Sequence, residues 1–263
     1  MTYQTGIPTR TTDAMKQVPY VASAREISKI YGSGDTAVEA LRSVTLEVAA
    51  GEFVAVMGPS GSGKSTLMNC MAGLDAISSG EVTIANQNLD FTNDRQLTEL
   101  RREQVGFVFQ SSNLVPTLNI TENIELPFLL AGRRPSAEER AWGHQLQRML
   151  GLEQRAHHRP AELSGGQRQR VAIARALVTR PAVVFADEPT GSLDSGSSRE
   201  VLELLRQMTD TLAQSIVMVT HNPSAASYAD RIIVIVDGRV THQLSGAGAE
   251  EISGLMLTLE ESR

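Results

Sequence analysis

Residues 54–68 read VAVMGPSGSGKSTLM: four apolar residues, a loop holding three glycines, then Lys64, Ser65 and Thr66 ahead of an apolar-periodic run (Leu67, Met68, Met71) closed by Gly73. Strand, glycine-rich turn and helix in that order are the context a phosphate-binding loop requires. Gly58, Gly61 and Gly63 let the backbone turn so that its N–H groups face a β-phosphate, and the new helix N-terminus adds its dipole. Lys64 can bridge β- and γ-phosphates, and the Ser65 hydroxyl can sit on Mg²⁺.

Three more apolar runs share this design. Val105–Phe109 ends at Gln110, Val183–Ala186 ends at Asp187 and Glu188, and Ile216–Val219 leads through Thr220 to His221. Continuous β-branched and aromatic runs of this length fit strands buried on both faces, as in a parallel sheet. In open α/β sheets ligands collect outside the carboxyl ends of the strands, so all four polar termini are expected at one edge. The Gln110 run is assigned to the side of that sheet. Residues 21–50 and 80–90 alternate and carry turn signals, which reads as flanking antiparallel strands.

Helical patterns fill residues 112–178, including Ala137–Leu150 and the segment after LSGGQ (163–167). The expected fold is therefore α/β: a P-loop NTPase core with a mainly parallel sheet, an antiparallel β subdomain and an inserted α-helical subdomain. Residues 1–20 show no apolar period and read as a mobile tail, with the main domain over 21–245. In 246–263, Ile252, Leu255, Met256 and Leu259 mark an amphipathic helix that packs on its own core or meets a partner. The chain holds no internal repeat, so it carries one copy of each motif.

Asp187, at the end of a buried strand, is placed to hold Mg²⁺ through the metal's water shell. Glu188 beside it can accept a proton from the attacking water or orient it. Ser164 is the expected N-cap of the next helix, and Gly165 and Gly166 let the backbone approach a ligand closely. This is a second anion site on a chain whose first already has Lys64 for the γ-phosphate. Two chains placed head to tail, each offering Ser164 to the other's ATP, use both sites. His221 is singled out among five histidines because its strand carries it toward Glu188. Gln110 can reach Mg²⁺ or the lytic water, Asp194 in GSLD can contact a second chain, and Tyr31 in KIYGSG can stack on adenine.

Composition is that of an ordinary globular chain, 41% hydrophobic and 21% charged over 263 residues. The net charge of −6 argues against tight binding to nucleic acid. A single cysteine, Cys70, excludes an internal disulfide and suits a reducing cytosol; its helical position after the phosphate loop suggests a buried apolar role. No apolar run approaches the ~18–20 residues needed to cross a bilayer. The reading expects a cytoplasmic protein that reaches the membrane only through a partner.

Taken together, the segments from about residue 24 to 241 resemble the ATP-binding cassette ATPases of ABC transporters. Seven motifs stand in that family's order. The resemblance implies that Gly58, Pro59, Ser60, Gly61, Ser62, Gly63, Lys64, Ser65 and Thr66 form the Walker A loop around the ATP phosphates. It makes Tyr31 the adenine-stacking residue, Gln110 the Q-loop, and Ser164, Gly165, Gly166 and Gln167 the signature. Asp187 and Glu188 then end the Walker B strand, Asp194 lies in the D-loop, and His221 is the switch histidine. Catalysis falls to Glu188, His221, Gln110 and Lys64, and Mg²⁺ to Ser65, Gln110 and Asp187.

Narrower wording, including MGPSGSGKSTLMN, GLD at 73–75 and ADRIIVIVDG, resembles the subgroup built for macrolide export, lipoprotein release and cell-division signalling. That implies a homodimer around two ATP driving a separate integral-membrane permease, either for export or as a mechanical signal without solute transport. Ser111-Ser112 departs from the subgroup, which often has a bulkier residue after the glutamine.

Overall fold

The computed structural model describes residues 20–261. Its strands are β1 (Tyr20–Tyr31), β2 (Val38–Ala49), β3 (Phe53–Met57), β4 (Ser79–Ile84), β5 (Gln87–Asn88), β6 (Val105–Val108), β7 (Val183–Asp187), β8 (Ser215–Val219), β9 (Arg231–Val236) and β10 (Arg239–Ser245). The helices are α1 (Lys64–Met71), α2 (Asp94–Gln104), α3 (Ile120–Leu130), α4 (Ala137–Met149), α5 (Gly165–Leu177), α6 (Ser195–Leu212), α7 (Pro223–Ala226) and α8 (Ala249–Glu261).

One sheet runs β10-β9-β3-β8-β7-β6, parallel throughout except for β10. The other runs β2-β1-β4-β5 and is antiparallel. The central strands read as unbroken apolar runs because both faces are covered. Phe53, Ala55 and Met57 of β3 join one core cluster, with side chains of α3, α5 and α6. Val54 and Val56 point the other way, into a second cluster with α1 and the antiparallel strands. This period-2 division of a run with no polar residue is what a strand between two layers produces.

Cys70 lies in the second cluster, and burial pushes its thiol up to about 12, which makes it a packing residue. On the other side Ile252 of α8 is fully buried, and Leu255, Met256 and Leu259 pack against the same cluster. The C-terminal helix thus lays its apolar stripe on the chain's own core.

Two boundaries differ from the sequence reading. Tyr20, placed in the tail, opens β1 and pairs with Ala49; the rest of that segment lies outside the described residues. Helix α2 was not anticipated. It buries only Leu97 and Leu100, too few for a clear period, and is started by Asn93, whose side chain accepts from the Gln96 N–H.

Within residues 112–178 lie α3, α4 and α5. The buried side chain of Asn123 organises the approach to α3, accepting from Val115 N–H and donating to the carbonyls of Val115, Leu118 and Asn119. Helix α5 meets β6 so closely that a Cβ on Gly106 would lie 2.5 Å from the Ala176 carbonyl oxygen. Gly106→Ala must push helix and strand apart, and we expect a loss of about 1–3 kcal/mol. For a chain of this size that is a fall in Tm of roughly 2–10 °C, read from a thermal melt; an unchanged Tm would refute the close approach.

Candidate functional site

The sheet order decides the site. Adjacent strands β3, β8, β7 and β6 end, in that sequence, at Gly58, at Thr220-His221, at Asp187-Glu188 and at Phe109-Gln110. Backbone pairing continues past the strand ends: Thr220 N–H donates to Val56 O (3.2 Å) and Glu188 N–H to Val219 O (2.9 Å).

The loop after β3 needs glycine for want of room. A Cβ on Gly58 would sit 2.0 Å from Ile235 O, and one on Gly63 would sit 2.5 Å from Ala40 O, with φ at 148° and 104°. Both positions are closed to any side chain. The loop is also pinned from outside by Gly238 N–H, which donates to Ser62 O (3.0 Å). Lys64, at the start of α1, folds its ammonium back onto the loop, donating to Gly58 O (2.9 Å) and Pro59 O (2.7 Å). Ser62 Oγ is buried with no hydrogen-bond partner among the described residues.

Asp187 is half-buried. Burial first and the neighbouring Glu188 charge second push its carboxyl above the ordinary value, with Lys64 opposing them. Glu188 takes a positive φ of 44°, unusual for a residue with a side chain. That turn aims its carboxylate back over the strand end, where Oε1 lies 2.8 Å from His221 Nδ1. Gly191 closes the group: a Cβ there would lie 2.8 Å from Gln110 Nε2 and 3.2 Å from Glu188 Oε2. A cavity of about 520 Å³ opens beside these residues, lined by Glu188, Gly191, Ser198, Arg199, His221 and Asn222.

A second group forms around the start of α5. Ser164 is its N-cap: Oγ accepts from Gln167 N–H (3.2 Å) and its own N–H donates to Gln167 Oε1 (2.9 Å), a reciprocal capping box. Asp194 is the N-cap of α6, both carboxylate oxygens accepting from Ser197, whose backbone and hydroxyl hydrogen bonds hold the acid below its usual range. The two helix starts touch, since a Cβ on Gly166 would meet Ser197 Cβ at 3.1 Å and one on Gly165 would meet Leu193 at 3.1 Å. Close approach to a ligand is the expectation for both glycines; packing is a second demand on them, Gly166 against α6, where it is buried, and Gly165 against Leu193.

Tyr31 stands apart from both groups, at the end of β1, and is 41% exposed. Its hydroxyl donates to Asp75 (2.5 Å).

Three supporting residues escaped the sequence reading. Buried Gln169 donates to Phe109 O (2.8 Å), Arg175 to Asn113 O (2.7 Å) and Ser112 O (2.8 Å), and Ser192 Oγ to Gln110 O (2.9 Å). They tie the segment around Gln110 to α5 and to the loop before α6. Polar residues on an apolar helix face were the available signal for Gln169 and Arg175; nothing marked Ser192.

The sequence profile of the family described as ABC transporter matches residues 41–191. The chain belongs to the ABC transporter ATP-binding family. It is 46% identical over 215 residues to an uncharacterized ABC transporter ATP-binding protein of Thermotoga maritima, covering 82% of this chain and 91% of that one. It is 45% identical over 235 residues to the macrolide export ATP-binding/permease protein MacB of Hyphomonas neptunium, covering 89% of this chain but 36% of that one. The chain thus spans about a third of the length of this curated exporter. Among solved structures it is similar to the dimeric MJ0796 cassette, at TM-score 0.76 and 42% identity over 86% of this chain and 99% of that one. A second MJ0796 dimer, in a post-hydrolysis state bound to ADP and Pi, matches at TM-score 0.75 and 41% identity, again over 86% and 99%.

In this member of the ABC transporter ATP-binding family, then, Lys64, Asp187, Glu188, His221 and Gln110 lie around neighbouring strand ends, and Ser164 and Asp194 form a separate group on the same chain. The strand-end group carries a stability cost that function must justify. Because burial raises Asp187's pKa, its ionised form destabilises the fold at neutral pH. The penalty eases as pH falls through the raised pKa and is gone below the ordinary 3.8. Asp187→Asn should therefore raise Tm at pH 7 while abolishing ATP hydrolysis, with the Tm difference narrowing toward pH 4. A lower Tm at pH 7 would count against the burial argument. Gly191→Ala should leave Tm nearly unchanged but slow hydrolysis about tenfold by displacing Gln110 and Glu188, measured as kcat.

Proposed function

We propose that this chain is the ATP-hydrolysing subunit of an exporter, closing as a head-to-tail homodimer around two ATP·Mg²⁺ and driving a separate integral-membrane permease. The observation that carries the reading is the division of one chain into two groups. Lys64, Glu188 and His221 cluster at the strand ends, while Ser164 heads a helix of its own beside Asp194. In the closed dimer each Ser164 faces the partner's ATP, and Asp194 meets the other subunit across the interface. The dimeric cassettes of relatives support this arrangement.

In this reading Gly58 to Thr66, including Pro59, Ser60, Gly61, Ser62 and Gly63, wraps the phosphates, and the Lys64 ammonium moves from its own loop carbonyls to the β- and γ-phosphate oxygens. Tyr31 walls the adenine. No cluster of three or more His, Cys, Asp or Glu side chains able to hold a metal exists among the described residues. That suits Mg²⁺, which keeps several waters and takes its remaining ligands from one carboxylate and substrate phosphates. Ser65, Asp187 and Gln110 would hold it, and when bound it neutralises charge on the β- and γ-phosphates. Glu188 accepts the proton of the attacking water, and His221, already 2.8 Å from Glu188, orients that carboxylate and meets the γ-phosphate.

Charge-assisted hydrogen bonds are worth ~1.5–3 kcal/mol each, so two or three at each γ-phosphate supply the ~5.5 kcal/mol that turns a mostly open dimer into a mostly closed one. Hydrolysis removes those contacts and lets the dimer reopen.

In this reading the work of closure is passed to the permease; among the described residues no helix is long and apolar enough to cross a membrane. We assign the permease contact to the groove of about 500 Å³ between β6 and α3, lined by Leu74, Phe107, Phe109, Leu126 and Leu130 with Arg101 and Arg102 on its rim. Leu74 and Leu130 are exposed there. The Hyphomonas neptunium relative matched above is a macrolide export ATP-binding/permease protein, which supports a cassette that works with a permease.

Glu188→Gln should slow hydrolysis ~10²–10⁴-fold while sparing ATP binding. Sedimentation of that variant should show a dimer with ATP and a lighter species without it; no ATP-dependent gain in mass would refute the nucleotide-bridged dimer. Leu130→Glu should keep the ATPase of the isolated chain and lose co-purification with its permease from membranes.

A further inference from the structure

Tyr31 is an exposed ring on the last residue of a strand, a place where an aromatic side chain is ordinarily free to swing. Here its hydroxyl is held at 2.5 Å by Asp75 Oδ2. The other oxygen of Asp75 accepts from the Lys29 ammonium at 2.7 Å, and the same ammonium donates to Ala76 O at 2.6 Å. Lys29 Nζ lies over the Tyr31 ring, 4.7 Å from its centre. Lys29 and Tyr31 are alternate residues on β1, and Asp75 follows Gly73 just beyond the end of α1, its N–H donating to Asn69 O at 3.2 Å.

We propose that Asp75 and Lys29 are the positioning pair for the base site: they fix the Tyr31 ring with one face against the ammonium and the other open to a purine. The proposal rests on the reading of Tyr31 as the adenine wall. Three features go beyond a simple tie between β1 and α1. The lysine end of the ion pair is shielded, its side chain 11% exposed against 30% for Asp75, whereas Tyr31 is an exposed residue. Burial pushes Asp75's carboxyl up, but the hydrogen bonds from Lys29 and Tyr31 outweigh it and hold the acid below its usual range, so the clamp stays charged at neutral pH. Asp75 N–H donates to Asn69 O, which joins the ring's holder to the helix that begins at the phosphate loop. An ammonium against one face occupies it through cation–π attraction, so a base has only the opposite face. Ordering the ring before the nucleotide arrives removes an entropy cost from binding.

The pair acts on the base and not on the phosphates, which gives the test its form. In the full-length chain, Kd for ADP and for pyrophosphate is measured by titration calorimetry, with KM and kcat for ATP alongside. Asp75→Asn and Lys29→Met should each weaken ADP and raise the ATP KM by about three- to tenfold, with pyrophosphate affinity and kcat within about twofold. Tyr31→Ala removes the stack itself and should weaken ADP by about 5- to 140-fold. If Tyr31→Ala weakens ADP while Asp75→Asn and Lys29→Met do not, the positioning role is overturned and the adenine wall stands. If Tyr31→Ala leaves ADP affinity unchanged, both fall. If ADP and pyrophosphate weaken in parallel, the pair merely holds α1 in place and the proposal is overturned. Should Asp75→Asn fail to fold, Lys29→Met decides, because it leaves the phenol's acceptor intact.

Discussion

Everything in the site depends on the parallel pairing of β3, β8 and β7. Val56 lies opposite Val219, and Val219 opposite Asp187. Each backbone continues one step further, Thr220 N–H onto Val56 O and Glu188 N–H onto Val219 O. Register therefore places the phosphate loop, the histidine and the acidic pair at one level, with no side-chain contact needed to align them. A parallel ladder can do this because all its strands point the same way, so every carboxyl end delivers its next residue to the same edge.

That edge also concentrates cost. Glu188 holds a left-handed backbone, Asp187 is ionisable and half-buried, and the phosphate loop has glycines where the Ile235 and Ala40 carbonyls leave no room for a side chain. None of these features improves packing. Strained and desolvated groups of this kind persist where the surrounding structure over-determines them, and here the buried clusters on both faces of the sheet do so.

The signature helix is built differently. Its start is capped within the chain by the reciprocal Ser164–Gln167 hydrogen bonds, with Gly166 packed on α6 and Gly165 on Leu193 just before it. From α5, buried Gln169 and Arg175 reach the backbone on either side of Gln110. Helix α5 is thus tied directly to the Gln110 segment. The groove assigned to the permease adjoins the same segment, with Phe109, Asn113 and Arg175 among its lining residues.

Much of this was legible from order along the chain. Glycine spacing before Lys64, the apolar runs ending at Asp187, Glu188 and His221, and the serine-glycine cap at 164–166 each announce local geometry through short-range sterics and hydrogen bonding. So do the α/β class and the amphipathic stripe of α8. Helix α2 was hidden because a helix that buries two leucines leaves almost no period. Strand order, the Glu188–His221 contact, the accommodation of Gln110 and Glu188 at Gly191, and the Asp75 clamp on Tyr31 were decided only by the tertiary structure. Each joins residues tens of positions apart, and local propensity says which element forms but carries no information about which elements become neighbours.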